Sequence, residues 1–219
     1  IGNWVPIGWN GMFHQEFQGH LEGNGRTISN LTFTFESDAG LFGIIGTDGV
    51  VQNFELSNVN GVSTDHLGSV GALAGMLYGK AINIRVSDAT ITGNNFAGGL
   101  AGSTDNGAVI EGSCVHADVS GESNAGGLVG YLMETVVKES CATGTASGSM
   151  FAGGLAGLTE DSEFIDSYAI VTVNGGAAGG LIGGISMFGS SPTILTRVYA
   201  AGKVSGDYFN SGGLIGSMI

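Results

Sequence analysis

The sequence predicts an all-β chain: a right-handed parallel β-helix of about seven turns, three short strands to the turn. Three observations predict it. A glycine-leucine pentapeptide recurs seven times along the chain. A ten-residue block of alternating character recurs in phase with it. Glycine supplies 42 of the 219 residues and proline only 2, too much glycine for stable helices and too little proline for collagen.

The pentapeptides centre on Leu41, Leu73, Leu100, Leu128, Leu155, Leu181 and Leu214, with successive gaps of 32, 27, 28, 27, 26 and 33 residues. The unit is therefore about 27 residues long, within the range of stacked solenoid repeats. The two long gaps hold insertions, placed at Ser63–Ser69 and Gly184–Thr193. The residue after each leucine is apolar: Phe42, Ala74, Ala101, Val129, Ala156, Ile182 and Ile215. Strict alternation would expose that stripe as a partner surface. A bend that turns both residues inward is the preferred expectation, because long exposed apolar stripes are uncommon.

The second block reads IRVSDATITG, GSCVHADVSG, ESCATGTASG, DSYAIVTVNG and RVYAAGKVSG, starting at Ile84, Gly112, Glu139, Asp166 and Arg197. Each copy closes on glycine. Aligned without gaps, it places Val86, Cys114, Cys141, Tyr168 and Tyr199 in one apolar slot, assigned to strand two. It places Ile91, Val119, Ala146, Val173 and Val204 in another, assigned to strand three. Alternation running into a glycine is a strand-and-turn signature. No single unit buries its own apolar face, so the stack must.

The pentapeptides resemble the GLUG motif (Gly-Leu-hydrophobic-Gly) of bacterial surface and secreted proteins, including adhesins and extracellular peptidase precursors. The N-terminal stretches WVPIG and FQGHLEGNGRTISNLTF resemble the segment that precedes such repeats. The resemblance implies a stalk or display module whose chemistry lies elsewhere in a longer chain. Residues 1–35 are expected to form an N-terminal capping rung, with Trp4, Trp9, Phe13 and Phe17 over the open end, and residues 36–219 the repeats. Both ends of the chain read like mid-domain sequence, so a fragment of something longer is expected.

Composition narrows the function classes. Acidic residues outnumber basic ones 19 to 6, for a formal charge of −13. That excludes the Lys/Arg footprint of a nucleic-acid binder and attraction to an anionic membrane. Hydrophobic residues at 42% against 11% charged residues argue against disorder. No apolar run is long enough to span a membrane. An extracellular or cell-surface setting is expected, with an unknown protein or glycan as ligand and a monomeric module within a larger chain.

Candidate sites are sparse. The glycines lack the helix N-terminus and lysine of a phosphate loop and read as corner geometry. Cys114 and Cys141 occupy equal slots in adjacent turns, within bridging distance. Two buried thiols are preferred to a disulfide, because the column reads as core. His14, His20, His66 and His116 share no column. Asp105, Glu134 and the run Glu160–Glu163 fall after the pentapeptide, on corner one. There they read as solvation, with weak calcium binding at Asp105, Asp161 and Glu163 as the chemical option. No other cofactor is expected. The outward positions of strand three, Thr90, Thr92, Ser120, Thr145, Ser147, Thr172, Asn174 and Ser205, form the candidate interaction face, interrupted by Asp118 and Lys203. The leading expectation is a non-enzymatic rigid stalk or adhesive display element. One alternative is ice binding through that Thr/Ser face; another is a polysaccharide-binding or polysaccharide-cleaving β-helix using the corner carboxylates.

Overall fold

A computed structural model describes residues 3–8, 15–206 and 210–219. Every paired strand among them runs parallel to its neighbour, and none of these residues is helical. The chain coils so that each turn stacks on the previous one. The first face is a seven-stranded sheet, from Phe42–Ile45 in the first turn to Ile215–Met218 in the last. One full turn comprises the strands Val129–Met133, Val136–Lys138 and Cys141–Gly153. The next comprises Ala156–Glu160, Glu163–Ile165 and Tyr168–Gly179. The architecture is the parallel β-solenoid of about seven three-stranded turns that the repeat predicts.

Inward side chains stack in ladders. Leu73, Leu100, Leu128, Leu155 and Leu181 are fully buried, and so are Ala74, Ala101, Val129, Ala156 and Ile182 beside them. The chain bends at the leucine, so in these turns both residues face the core and form no exposed apolar stripe; only in the last turn is the leucine, Leu214, exposed. A second ladder, Ile110–Val137–Phe164, lines the short middle strand. A third, Ile91–Val119–Ala146–Val173, lines the long strand.

The pentapeptide glycines are fixed by close backbone approach. A methyl on Gly98, Gly126, Gly153 or Gly179 would overlap the carbonyl oxygen three residues on. A methyl on Gly99, Gly127, Gly154 or Gly180 would overlap the carbonyl of the equivalent glycine in the following turn. At the third glycine the obstacle is the strand of the preceding turn: for Gly130 the Ala97 amide nitrogen at 2.7 Å, for Gly157 that of Ala125 at 2.9 Å. The pentapeptide is thus a right-sized gap between backbones.

The corner after the middle strand uses a different device. Asn24, Asn53, Asn83, Gly112, Glu139, Asp166 and Arg197 supply one residue per turn with φ between 48° and 61°. Left-handed backbone favours Asn, Asp and Gly, whose short side chains or lack of Cβ reduce its cost. In the central turns a buried serine follows. Ser113, Ser140 and Ser167 each donate to the carbonyl two residues back, at 3.1, 2.8 and 2.7 Å. Their hydroxyls also accept the amides of Ile84, Ser113 and Ser140 from the turn before, at 3.0, 3.2 and 3.1 Å. Each hydroxyl therefore satisfies one buried carbonyl and one buried amide.

Two expectations about strands and cysteines need correction. The blocks assigned to strands two and three are the two halves of one long strand, such as Cys114–Gly121; the true middle strand is the short Val109–Glu111. Cys114 lies opposite Arg85, not Val86, because Asp88 is an extra left-handed residue that shifts the register between Val115 and Ala117. The cysteine column consequently faces outward, and the two cysteines are joined as a disulfide, with Cα atoms 4.6 Å apart. They are not free core thiols. At the N-terminus, Trp4 and Phe17 pack against the core, and the Trp4 indole donates to the Leu41 carbonyl at 3.1 Å. Trp9, Phe13 and His14 lie outside the described residues.

Candidate interaction face

The long strand presents its alternate residues outward, and the register aligns them in columns. One column runs Thr32, Asn60, Thr90, Asp118, Thr145, Thr172. Beside it runs Thr34, Val62, Thr92, Ser120, Ser147, Asn174, Ser205. Neighbours along a column are about 4.8 Å apart and the columns about 6.6 Å apart, by strand geometry. All the sequence-predicted face residues, Thr90 to Ser205, are exposed or half-buried and share this face. The columns also reach two turns further towards the N-terminus than expected, to Thr32 and Thr34.

Two more outward columns exist that the sequence reading missed. In the later turns His116, Thr143, Ile170 and Ala201 form one. The other is Arg85, the Cys114–Cys141 bridge, Tyr168 and Tyr199. The two tyrosine rings stack at 4.9 Å with planes 1° apart. In the earlier turns Asn30, Asn58 and Asp88 adopt left-handed backbone and bend the strand instead. The uninterrupted alternation of CVHADVSG was the available signal: Val115, Ala117 and Val119 inward, Cys114, His116, Asp118 and Ser120 outward. Hydroxyls on this face are partly spent within it. Thr145 donates to Asp118 at 2.7 Å, and His116 lies 2.9 Å from the Thr143 hydroxyl.

Corner one holds the carboxylates, and backbone geometry accounts for much of their placement. Glu134 and Asp161 are left-handed, with φ of 47° and 49°. Asp161 is engaged by the second insertion, accepting the amides of Ser190 at 2.8 Å and Ser191 at 3.0 Å. Asp105 accepts the Asn106 amide at 2.5 Å. Glu163 sits on the middle strand between Val136 and Ile194. Among the described residues, Asp105, Asp161 and Glu163 are not gathered into any group of three or more potential ligands.

Three carboxylates, Glu22 and Asp166 exposed and Asp161 half-buried, are held below their ordinary pKa. For Glu22 the cause is the Asn24 amide, then the Asn53 and Gln52 side chains. For Asp166 it is the hydrogen-bonded Arg197 guanidinium. For Asp161, desolvation pulls upward but the hydrogen bonds from Ser191 and Ser190 outweigh it. A depressed folded-state pKa contributes stability that is complete above the unfolded value, near 4, and is lost as pH falls through the folded value. The melting temperature is therefore expected to hold from pH 7 to about 5 and to drop below about 4. Asp166→Asn should remove part of that drop; a melting curve between pH 7 and 2 that is parallel to wild type would contradict the assignment.

No known protein-family model matches the chain. It is 36% identical over 97 residues to halomucin of Haloquadratum walsbyi, covering 43% of this chain and 1% of that protein. It is 38% identical over 86 residues to a Gly-rich candidate membrane protein of Evansella cellulosilytica, covering 38% of this chain and 10% of that one. The chain thus spans a small fraction of the length of these curated relatives. Among solved structures, a candidate immunoglobulin A1 protease of Bacteroides ovatus superimposes with a TM-score of 0.69 at 19% identity. That match covers 99% of this chain and 74% of the other, and the likeness is one of fold.

Proposed function

We propose that this chain is a non-enzymatic, GLUG-type repeat module that acts outside the cell as a rigid stalk or adhesive display element of a larger surface protein. Residues 1–35 serve as its capping rung and residues 36–219 as the repeats. The observation that carries this reading is the unbroken seven-strand first sheet, from Phe42 to Met218. Such a stack is a stiff segment of coil, about 29 Å from its first strand to its last at the usual strand spacing. Three findings support the setting. The disulfide suits an oxidising compartment. Matching stretches occupy 1% and 10% of much longer proteins, as modules would. One of those proteins is named as a mucin and the other as a membrane protein.

The outward Thr/Ser columns support a second reading, ice binding, against which stand Asp118, Val62 and the hydroxyls already bonded within the face. One set of measurements on the purified chain separates the classes. Small-angle scattering should give a rigid particle whose profile fits the stacked coil, with no turnover on acidic or neutral polysaccharides and no thermal hysteresis. Hysteresis that falls on Thr145→Tyr would establish ice binding instead. Turnover lost on Glu134→Gln or Asp161→Asn would establish an enzyme.

A further inference from the structure

The Cys114–Cys141 bridge forms the floor of a groove on the outer face of the long strand. Arg85, the two cysteines and Tyr168 follow one another in a single column on four neighbouring strands. The cysteines turn to each other in the bridge, and Cys141 is only 6% exposed. Arg85 and Tyr168, three strand spacings or about 14 Å apart, stand at the two ends. His116 and Thr143 from the next column, with Ser87 two residues on from Arg85, line the side. The groove measures about 330 Å³.

The hydrogen bonds already made fix what each polar group has left to offer. The Ser87 hydroxyl donates to Glu55 at 2.8 Å, so its lone pairs remain as acceptors. The Thr143 hydroxyl donates to the Val115 carbonyl at 3.2 Å. It must then accept from His116, whose Nδ1 lies 2.9 Å away, which puts the proton on Nδ1. In the neutral imidazole Nε2 is thereby an acceptor too. The Arg85 guanidinium is the opposite case. It takes part in no hydrogen bond or ion pair among the described residues, so its N–H donors are free. Glu55 lies opposite Arg85 in register, but its two oxygens receive Ser87 and, at 3.5 Å, Thr27. No carboxylate is among the lining residues of the groove.

We propose that this groove binds a sugar acid: a pyranose carrying one carboxylate, alone or within a short neutral glycan. The planar guanidinium fork matches a carboxylate through two parallel hydrogen bonds. Ser87 Oγ and His116 Nε2, both acceptors, match ring hydroxyls, which donate. A peptide fits less well, because the long strand Cys114–Gly121 is already paired on both sides and leaves no edge for a peptide strand to join. A polyanion is repelled by the charge of −13 around a single cation. Tyr168, its ring stacked on Tyr199, serves as an end wall, and the disulfide as an apolar floor. The inference rests on the display reading and gives it a ligand. Scattering tests the stalk by itself, so a failed titration would remove the ligand and leave the stalk.

Titration of the whole chain, carrying nitrogen-15 arginine and histidine, with sodium glucuronate tests it. Saturable shifts at Arg85 Nε and the His116 ring are expected, with a Kd on the order of 1 mM. The neutral methyl ester of glucuronate and plain acetate should each bind about tenfold more weakly, the first for want of the charge and the second for want of hydroxyls. Arg85→Gln should weaken glucuronate by about the same factor at unchanged melting temperature. Equal binding of the acid and its ester would overturn the proposal, as would the absence of a saturable response. Acetate matching glucuronate would overturn it by reducing the site to an adventitious ion only. A tetraglutamate peptide binding more tightly than glucuronate would overturn it in favour of a peptide ligand. The ligand comparisons use the wild-type protein, so they decide even if the variant fails to fold.

Discussion

Gly153→Ala is expected to destabilise the chain by roughly 3 kcal/mol or more, near the upper end of single-residue effects. The added methyl would overlap the Ala156 carbonyl oxygen and sit 2.6 Å from the Gly183 amide nitrogen. Both obstacles are backbone, so no rotamer change relieves them. Moving residue 153 away from them would strain the hydrogen bonds from the Gly127 amide to the Gly153 carbonyl and from the Gly154 amide to the Gly179 carbonyl, at 3.1 and 3.3 Å. The position lies mid-stack, so the damage falls on the interface between turns, where a solenoid keeps most of its stability. Gly213→Ala is the matched control: among the described residues a methyl there meets nothing within 4 Å, and a change inside about 0.5 kcal/mol is expected. Urea unfolding of the two variants checks the contrast. If Gly153→Ala unfolds with wild type, close approach does not explain the repeated glycine.

Loss of the Cys114–Cys141 bridge is expected to cost about 3 kcal/mol, from the chain entropy released when a loop of this length opens. The bridge closes 27 residues, one repeat, and so ties a turn to its neighbour covalently. It also sits at the foot of the Tyr168–Tyr199 stack, next in the same column. The Cys114→Ser/Cys141→Ser double variant should show a lower urea midpoint, and reductant should lower the midpoint of wild type but not of the variant. Alkylation of both thiols in unreduced native protein would refute the bridge.

The contrast between these two sites shows what a single sequence exposes. The glycines were legible because their constraint repeats: seven leucines in phase leave little room for another architecture, and the inward ladder Ile91–Val119–Ala146–Val173 was read correctly from alternation. The cysteines were misread because a gapless alignment ignored Asp88. One left-handed residue moves Cys114 from beside Val86 to beside Arg85, and a shift of one residue moves a side chain from the core to the surface. The left-handed corner column escaped notice for another reason. Its members, Asn83, Gly112, Glu139, Asp166 and Arg197, share a backbone conformation and no side-chain chemistry. The buried serines Ser113, Ser140 and Ser167 were visible as letters, but their double role depends on amides from the turn before.

The sequence by itself determined the period, the parallel coil and the inward direction of the leucine ladder, because each follows from local spacing and from the steric demand of glycine. The tertiary structure decided the rest: that the cysteines bridge and that four outward columns run along the long strand. These depend on which turn lies against which, and that register is set where residues such as Asp88 lengthen one turn relative to the next.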